Sequence, residues 1–477
     1  MITISDFTNS IPLMIAASSA LVIMLLETIF PKDRKHISET AIFYFSIAAL
    51  AAAITYSFLQ LDKNLFLYNN FIRLNVLTSV INIILLAGMF FTVLSSRNYL
   101  EQEDINYGEY YSLLFFSLTG MMLMNQANDL IILFVGLELM SVCFYVLAGF
   151  MRKKLESNES AIKYFLLGAF LTGFLLLGIA FIYGYTGSTN YSVIASQNPV
   201  QAQFYLLGLV LVFIAFIFKT GSFPLQMWIP DVYQGAPTIV TGMMSSVGKT
   251  ATFGAMISFF SVFNMKSIPL IIAIVAILTM LYGNVVALVQ SNIKRLLAYS
   301  SIAHAGYIMI GFIIISPGSI QAVLFYLLSY ILMQLGAFIV VGIFEERITD
   351  GELKNSLEGY KGLGKSNPWL SSLLTIFLFS LAGIPPFAGF WGKYYIFLSA
   401  IQNNYVWVAI VGILLSLVGV YYYIKVILYM WFYEPVAESA KEIKSDFSFT
   451  AAIISTLGLF AFGIYPELIL RYIRTVA

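Results

Sequence analysis

The sequence predicts an all-α integral membrane fold of about fourteen transmembrane helices, and three observations carry that prediction. Of 477 residues, 60% are hydrophobic and only 10% are charged, against roughly 25% charged in a soluble domain. The apolar runs follow one another from end to end with short gaps, each near the ~20 residues that a helix needs to cross a bilayer. The runs also lack the period-two alternation of strands. Length alone would suggest about three soluble domains, but the short gaps predict one polytopic membrane domain over 1–477.

The predicted spans, numbered 1 to 14, are 11–30, 41–61, 72–95, 110–127, 129–150, 160–183, 203–226, 238–262, 268–290, 296–315, 319–344, 369–398, 405–432 and 447–470. Spans 1–3 form the N-terminal part, 1–107. Asp6 is the only charge before span 1 and no basic segment precedes it, so the run reads as a retained helix rather than a cleaved signal peptide. Spans 4–8 fill 108–265, spans 9–13 fill 266–435, and span 14 lies in 436–477. The loop 345–367 mixes both charge signs with glycine and reads as a solvated connection.

Orientation follows from Lys and Arg in the loops. Loops after odd-numbered spans hold Lys32, Arg34, Lys35, Arg97, Arg152, Lys153, Lys154, Lys294, Arg295, Arg347, Lys354, Lys361, Lys365, Lys441 and Lys444. The opposite side holds Lys63, Arg73, Lys266, Arg471 and Arg474. Fifteen against five predicts cytoplasmic odd loops, with both termini on the non-cytoplasmic side.

The net charge of +1 gives no footprint for nucleic acid. The one cysteine, Cys143, forms no intramolecular disulfide and no thiolate metal or iron–sulfur site. Gly248-Lys249-Thr250 lacks the earlier glycine of a phosphate loop, since Met243 stands at that position.

Five lysines remain inside the spans: Lys163, Lys219, Lys249, Lys393 and Lys425. A lysine at a bilayer centre costs roughly 2.5–3.5 kcal/mol on insertion scales, so such residues read as functional. Lys219 lies deep in span 7, Lys249 eleven residues into span 8, and Lys393 after a double proline in span 12. Glu138 lies near the middle of span 5. A structural ion pair between Glu138 and Lys219 is the competing reading, yet one carboxylate cannot neutralise three deep lysines. Out of water the charged form of a lysine is disfavoured, and a nearby carboxylate restores it. A lysine with a movable carboxylate partner therefore suits proton uptake and release near neutral pH. His304, mid-span in span 10 beside Tyr299, Ser300 and Tyr307, can pass a proton between its two nitrogens. Glu159 and Lys163 are four apart and can pair on one helix face; Lys425 near the cytoplasmic end of span 13 can snorkel. For Glu159 and Lys163 the structural reading is as good as the functional one; for Lys425 it is the better of the two.

Span 7 contains Lys219, Gly221 and Pro224, then Trp228; span 12 contains Gly383, Pro385, Pro386 and Trp391, then Lys393. Each predicts a helix broken beside a lysine, tolerated in a membrane where backbone lines a protein or wet cavity. The breaks lie five spans apart, an odd offset that predicts an inverted repeat of spans 4–8 and 9–13. The same offset pairs Glu138 with His304 and Lys249 with Lys425.

The segments Lys219-Thr-Gly-Ser-Phe-Pro-Leu-Gln-Met-Trp-Ile-Pro-Asp231, Gly235-Ala-Pro-Thr238 and Ile293-Lys-Arg-Leu-Leu-Ala-Tyr-Ser-Ser-Ile-Ala-His-Ala-Gly-Tyr307 resemble the signature of the antiporter-like membrane subunits of respiratory complex I. The resemblance runs from about span 2 to span 14. The Ser-Ser-Ile-Ala-His wording and Lys393 are similar to the subunit N branch, where subunit M carries glutamate at the latter position. Subunit L, by contrast, continues past span 14 into a long lateral helix. The resemblance implies that Glu138 and Lys219 are an input pair, Lys249 the connecting lysine and Lys393 the terminal lysine, with Glu159 and Lys163 also matching. Gln226 departs from the histidine of many relatives. The resemblance further implies proton translocation driven by quinone reduction elsewhere. Flavin, iron–sulfur clusters and quinone would then sit in partner subunits and no cofactor in this chain. Its expected partners are neighbouring subunits M and K, lipids and protons. Two alternatives stay open: a subunit of an Mrp-type cation/proton antiporter or membrane-bound hydrogenase, and a structural scaffold without proton flux.

Overall fold

The computed structural model describes residues 3–29, 35–197, 203–263, 268–348, 350–351, 353–436 and 446–473. Lys32, Arg34, Lys266, Lys441, Lys444 and Arg474, six of the cations counted for orientation, lie outside the described residues, as do the side chain of Lys35 and the last residue of predicted span 1, Phe30.

Among the described residues the fold is all-α apart from one small hairpin. Among the described residues ten helices are long and apolar enough to cross a membrane. They are the helices of spans 1–3, 5–7, 9, 11, 13 and 14. The other four predicted spans are helical too, but fall short of that criterion for physical reasons. Span 4 (Gly108–Gln126) and span 10 (Ile293–Ile310) are almost entirely buried in protein, so lipid never selects their composition. Span 8 is interrupted by a π-helical turn, Met244–Gly248, between Thr238–Met243 and Lys249–Val262. Span 12 is two helices, Pro368–Ala382 and Ala388–Gln402. A second π turn, Ile331–Leu335, interrupts span 11.

Some predicted ends were wrong. Span 3 begins at Val76, because Leu65–Leu67 and Ile72–Leu74 pair as an antiparallel hairpin. There Ile72 and Leu74 are buried and Arg73, between them, is half-exposed, the alternation of a strand. Span 7 ends at Thr220 rather than 226, and a new helix, Trp228–Gly235, follows the break. Span 14 ends at Ile464; Pro466 ends it, since a proline disfavours helical backbone in the residue before it.

The chain forms two compact units. The first is Met1–Val93, Asn106–Thr220 and Val247–Lys266; the second is Leu94–Ile105, Gly221–Ser246 and Ser267–Ala477. In the first unit the loops after spans 2, 4 and 6 meet. Asn128 and Asn190 both donate from Nδ2 to the Asn70 carbonyl, at 2.8 and 3.0 Å. In the second unit the loops after spans 9 and 11 and the end of span 13 meet. The Ile293 amide donates to the Asn355 carbonyl, Leu357 to Ser291, and Gly362 to Tyr429, at 2.8, 2.8 and 3.0 Å. Gathering alternate loops at one end is what successive crossings of a bilayer require.

Close helix contact positions the site. A Cβ on Gly120 would lie 2.5 Å from the Met140 nitrogen, and one on Gly136 the same distance from the Met124 nitrogen. Spans 4 and 5 therefore touch backbone to backbone, as small residues allow in membranes. That contact holds the helix carrying Glu138.

Candidate functional site

In the first unit the span 5 helix, Leu130–Ala148, presents Glu138, Ser141 and Tyr145. Their spacing of three and four puts them on one face. Glu138 is half-buried, and its Oε1 accepts a 2.7 Å hydrogen bond from Thr172 Oγ1 of span 6. Lys219 is buried at the last turn of Gln203–Thr220. Its Nζ donates to Ser141 Oγ at 2.6 Å and to Tyr145 OH at 3.3 Å. The ammonium also faces the rings of Tyr145 and Tyr164, 5.4 and 5.7 Å from their centroids. Ser141, one helical turn from Glu138 on the same face, makes the direct bond to Lys219. The two predicted partners are thus brought together with a hydroxyl on the ammonium instead of a closed ion pair.

Lys249 is the first residue after the π turn and is 1% exposed. Gly248, before it, packs on the Phe144 ring of the span 5 helix; a Cβ there would come within 2.6 Å of that ring. π turns concentrate at functional positions. Glu159 and Lys163 form the i, i+4 ion pair at 2.7 Å, with side chains 57% and 43% exposed.

In the second unit His304 is buried with both ring nitrogens engaged. Nδ1 is 2.8 Å from Tyr326 OH and Nε2 is 3.1 Å from Tyr423 OH. Tyr423 OH also bonds Ser300 Oγ. Lys393 Nζ, also buried, donates to the Ala382 carbonyl at 2.9 Å and to Ser416 Oγ at 2.8 Å, and lies 5.1 Å from the Tyr307 ring centroid. Between His304 and Lys393 runs a thread of hydrogen bonds and ring contacts. The rings of Tyr423 and Tyr422 are 4.4 Å apart, Tyr422 OH donates to Asn284 Oδ1 at 3.2 Å, and Asn284 Nδ2 donates to Tyr307 OH at 3.0 Å. Lys425 is half-buried and reaches the Gln290 carbonyl at 3.4 Å, at the end where the odd loops gather.

The two breaks share a construction. After Lys219, Gly221 takes φ +71 and the Phe223–Pro224 peptide is cis; after Ala382, Gly383 takes φ +84 and the Pro385–Pro386 peptide is cis. Gly383 caps its helix by donating from its amide to the Phe379 and Ser380 carbonyls, a left-handed cap that glycine suits. Pro224, Pro385 and Pro386 are exposed and Gly221 is buried.

Sequence reasoning missed Ser141, Tyr145, Thr172, Asn284, Tyr326, Ser416, Tyr422 and Tyr423. Two signals were available: the three-then-four spacing from Glu138 to Ser141 to Tyr145, and the amide of Asn284 inside a largely apolar span. The tyrosines read as apolar filling of their helices. Lys294 and Glu345 were assigned to solvated loops; both are buried.

The comparisons agree with one another. The family described as NADH:quinone oxidoreductase/Mrp antiporter, TM, matches residues 127–419. The NADH-quinone oxidoreductase subunit N of Trichlorobacter lovleyi is 45% identical over 406 residues, covering 82% of this chain and 81% of that protein. A chain of respiratory complex I from Thermus thermophilus with bound aureothin superposes with a TM-score of 0.82 at 30% identity, over 96% of this chain and 98% of the other. A chain of the archaeal membrane-bound sulfane sulfur reductase superposes with a TM-score of 0.88 at 25% identity, over 98% and 96%. The fold, the two broken helices and these likenesses together place this chain in the antiporter-like membrane subunit family of NADH:quinone oxidoreductase, with the subunit N proteins.

Proposed function

We propose that this chain is the proton-translocating subunit N of a NADH:quinone oxidoreductase, and that Glu138, Lys219, Lys249, His304 and Lys393 carry the protons. The observation that carries this reading is the company the buried lysines keep. Lys219 bonds a serine and a tyrosine, and Lys393 a serine and a backbone carbonyl. A lysine held by a closed ion pair is locked in its charged state; one held by neutral groups can change protonation without stranding a carboxylate. A purely structural scaffold has no use for this arrangement, because leucine would fill either place at lower cost.

The redox chemistry belongs to other subunits, where flavin, iron–sulfur clusters and quinone reside, and this chain holds no redox centre. Its neighbours in the membrane are subunits M and K. It crosses a bacterial inner membrane with both termini on the non-cytoplasmic side, and spans 4–8 and 9–13 are inverted repeats. A charge change arriving from a neighbour acts on Glu138, which releases its hold on the Lys219 proton. The proton moves toward Lys249 and His304, and the tyrosine and asparagine thread leads on to Lys393, which releases a proton to the non-cytoplasmic side and is reloaded. Moving one charge against 100 mV costs about 2.3 kcal/mol, less than about two pKa units of modulation, which one moving carboxylate can supply.

Affinity purification of the tagged chain from its own membranes tests the assignment. Co-purification with NADH oxidation and quinone reduction supports it. A complex that exchanges cations for protons and oxidises no NADH would establish the antiporter alternative instead.

A further inference from the structure

Lys294 and Glu345 form a buried ion pair that the proposed pathway does not use. Nζ and Oε1 are 4.0 Å apart and the side chains are 5% and 7% exposed. Both charges sit at the wrong ends of their helices. Lys294 is the second residue of Ile293–Ile310, where the helix dipole is positive; Glu345 is two residues from the end of Gly336–Arg347, where it is negative. Burial adds a desolvation penalty, and a packed apolar pair in such a place is commonly as stable or more so. Stability therefore does not account for the pair.

Its attachments point elsewhere. Lys294 Nζ donates to the Ala236 carbonyl at 2.7 Å, and Glu345 Oε2 accepts from Thr238 Oγ1 at 2.5 Å. The Thr238 amide donates to Tyr99 OH at 3.1 Å. Ala236 and Thr238 flank the junction between Trp228–Gly235, the helix after the span 7 break, and Thr238–Met243, which leads by sequence to the π turn and Lys249. The pair lies at the end of the second unit where the loops after odd spans meet, the side that the charge bias makes cytoplasmic. Among the described residues, the other titratable groups near Glu345 are Tyr99, Tyr360 and Glu346, and Arg347 adjoins Glu346.

Lys294 and His304 share one helix, ten residues or about 15 Å apart. In that interval Tyr233 and Tyr330 face Ser301, and Gln334 Nε2 donates to the Leu297 carbonyl at 3.3 Å. Tyr233 OH, Tyr330 OH and Gln334 Oε1 are buried, and among the described residues no well-formed hydrogen bond reaches them. Buried polar atoms are rarely orphaned, and three against the same helix have the makings of a water-bridged route.

We propose that Lys294 and Glu345 are a cytoplasmic proton-loading pair for His304, an inference that rests on the proton-translocation reading above. A proton from the aqueous side binds the Glu345 carboxylate and the ion pair loses its negative member. Lys294, whose carboxylate partner Glu345 is now neutral, gives a proton toward Gln334, Tyr233, Tyr330 and His304, and takes the proton from Glu345 in return. One proton enters, one leaves, and the pair is restored.

The double variant Lys294→Met with Glu345→Gln tests this in the intact complex, beside Lys393→Met. Removing both charges avoids the stranded charge of a single variant. With assembly confirmed on a native gel, proton pumping about fivefold or more below the unsubstituted complex is expected; normal pumping overturns the loading role. Should the double variant not assemble, Glu345→Asp, which keeps both charges, decides. The pH profile of pumping is then expected to move by about half a pH unit, and an unmoved profile overturns the proposal. Normal pumping in Lys393→Met would overturn the translocation reading itself; loss there with normal pumping in the double variant would overturn the loading pair alone.

Discussion

Lys393 bonds back across the break in its own span: its Nζ donates to the carbonyl of Ala382, 2.9 Å away, the last residue of the helix before the break. The lysine thus uses an orphan carbonyl that a helix C-terminus leaves open. The break is part of the lysine's binding place, and its glycine is part of both.

Gly383→Ala follows directly. Its φ of +84 is costly for alanine, and the new Cβ would lie 2.9 Å from Lys393 Cδ. The strain is about 1–2 kcal/mol, and the lysine side chain must shift from its place against the break. The expected outcome is an assembled complex with impaired pumping, read by acidification of inverted membrane vesicles.

Ser141→Ala removes the nearer of the two hydroxyls on Lys219 and leaves only Tyr145, at 3.3 Å. A hydrogen bond to a charged group contributes about 1.5–3 kcal/mol, which disfavours the protonated lysine. Pumping and NADH:quinone turnover should fall together, roughly tenfold. Thr172→Val, acting on a half-buried carboxylate, should have a smaller effect in the same assay.

Tyr423→Phe keeps the ring and deletes the hydroxyl between His304 Nε2 and Ser300. If the thread to Lys393 conducts protons, pumping falls while assembly, measured by native electrophoresis, is unchanged. Asn284→Leu should act likewise, since it disconnects Tyr422 from Tyr307.

Gly136→Leu is expected to act on folding instead. It forces side-chain atoms into the backbone of span 4 at Met124, where neither helix can yield without losing the contact. The assembled complex should be depleted on the native gel, and activity per assembled complex is not the relevant readout.

Much of the fold was legible because a bilayer imposes one rule on every span: ten of the fourteen apolar runs hold helices long and apolar enough to cross a membrane, and the other four hold shorter, interrupted or less apolar helices. The breaks were legible from Gly221, Pro224, Gly383, Pro385 and Pro386, residues with a local backbone effect. The π turns were not, since Met244–Gly248 and Ile331–Leu335 contain nothing that sets them apart locally. The deep lysines were legible from the cost of placing charge in lipid. Their partners were not, because a serine or tyrosine in a span carries little cost, and its role depends on what faces it. Lys294 and Glu345 were misread for a related reason: charge near the end of an apolar run signals a solvated loop, and only tertiary packing shows that both are covered.

The most direct test of the central claim is Lys219→Ala, assayed for proton pumping and NADH:quinone reductase activity in membranes with assembly checked on a native gel. The account predicts an intact complex in which both activities are lost or severely reduced. An intact complex that pumps at the normal ratio of protons to quinone reduced would contradict it, and would leave the buried charges with a structural role only.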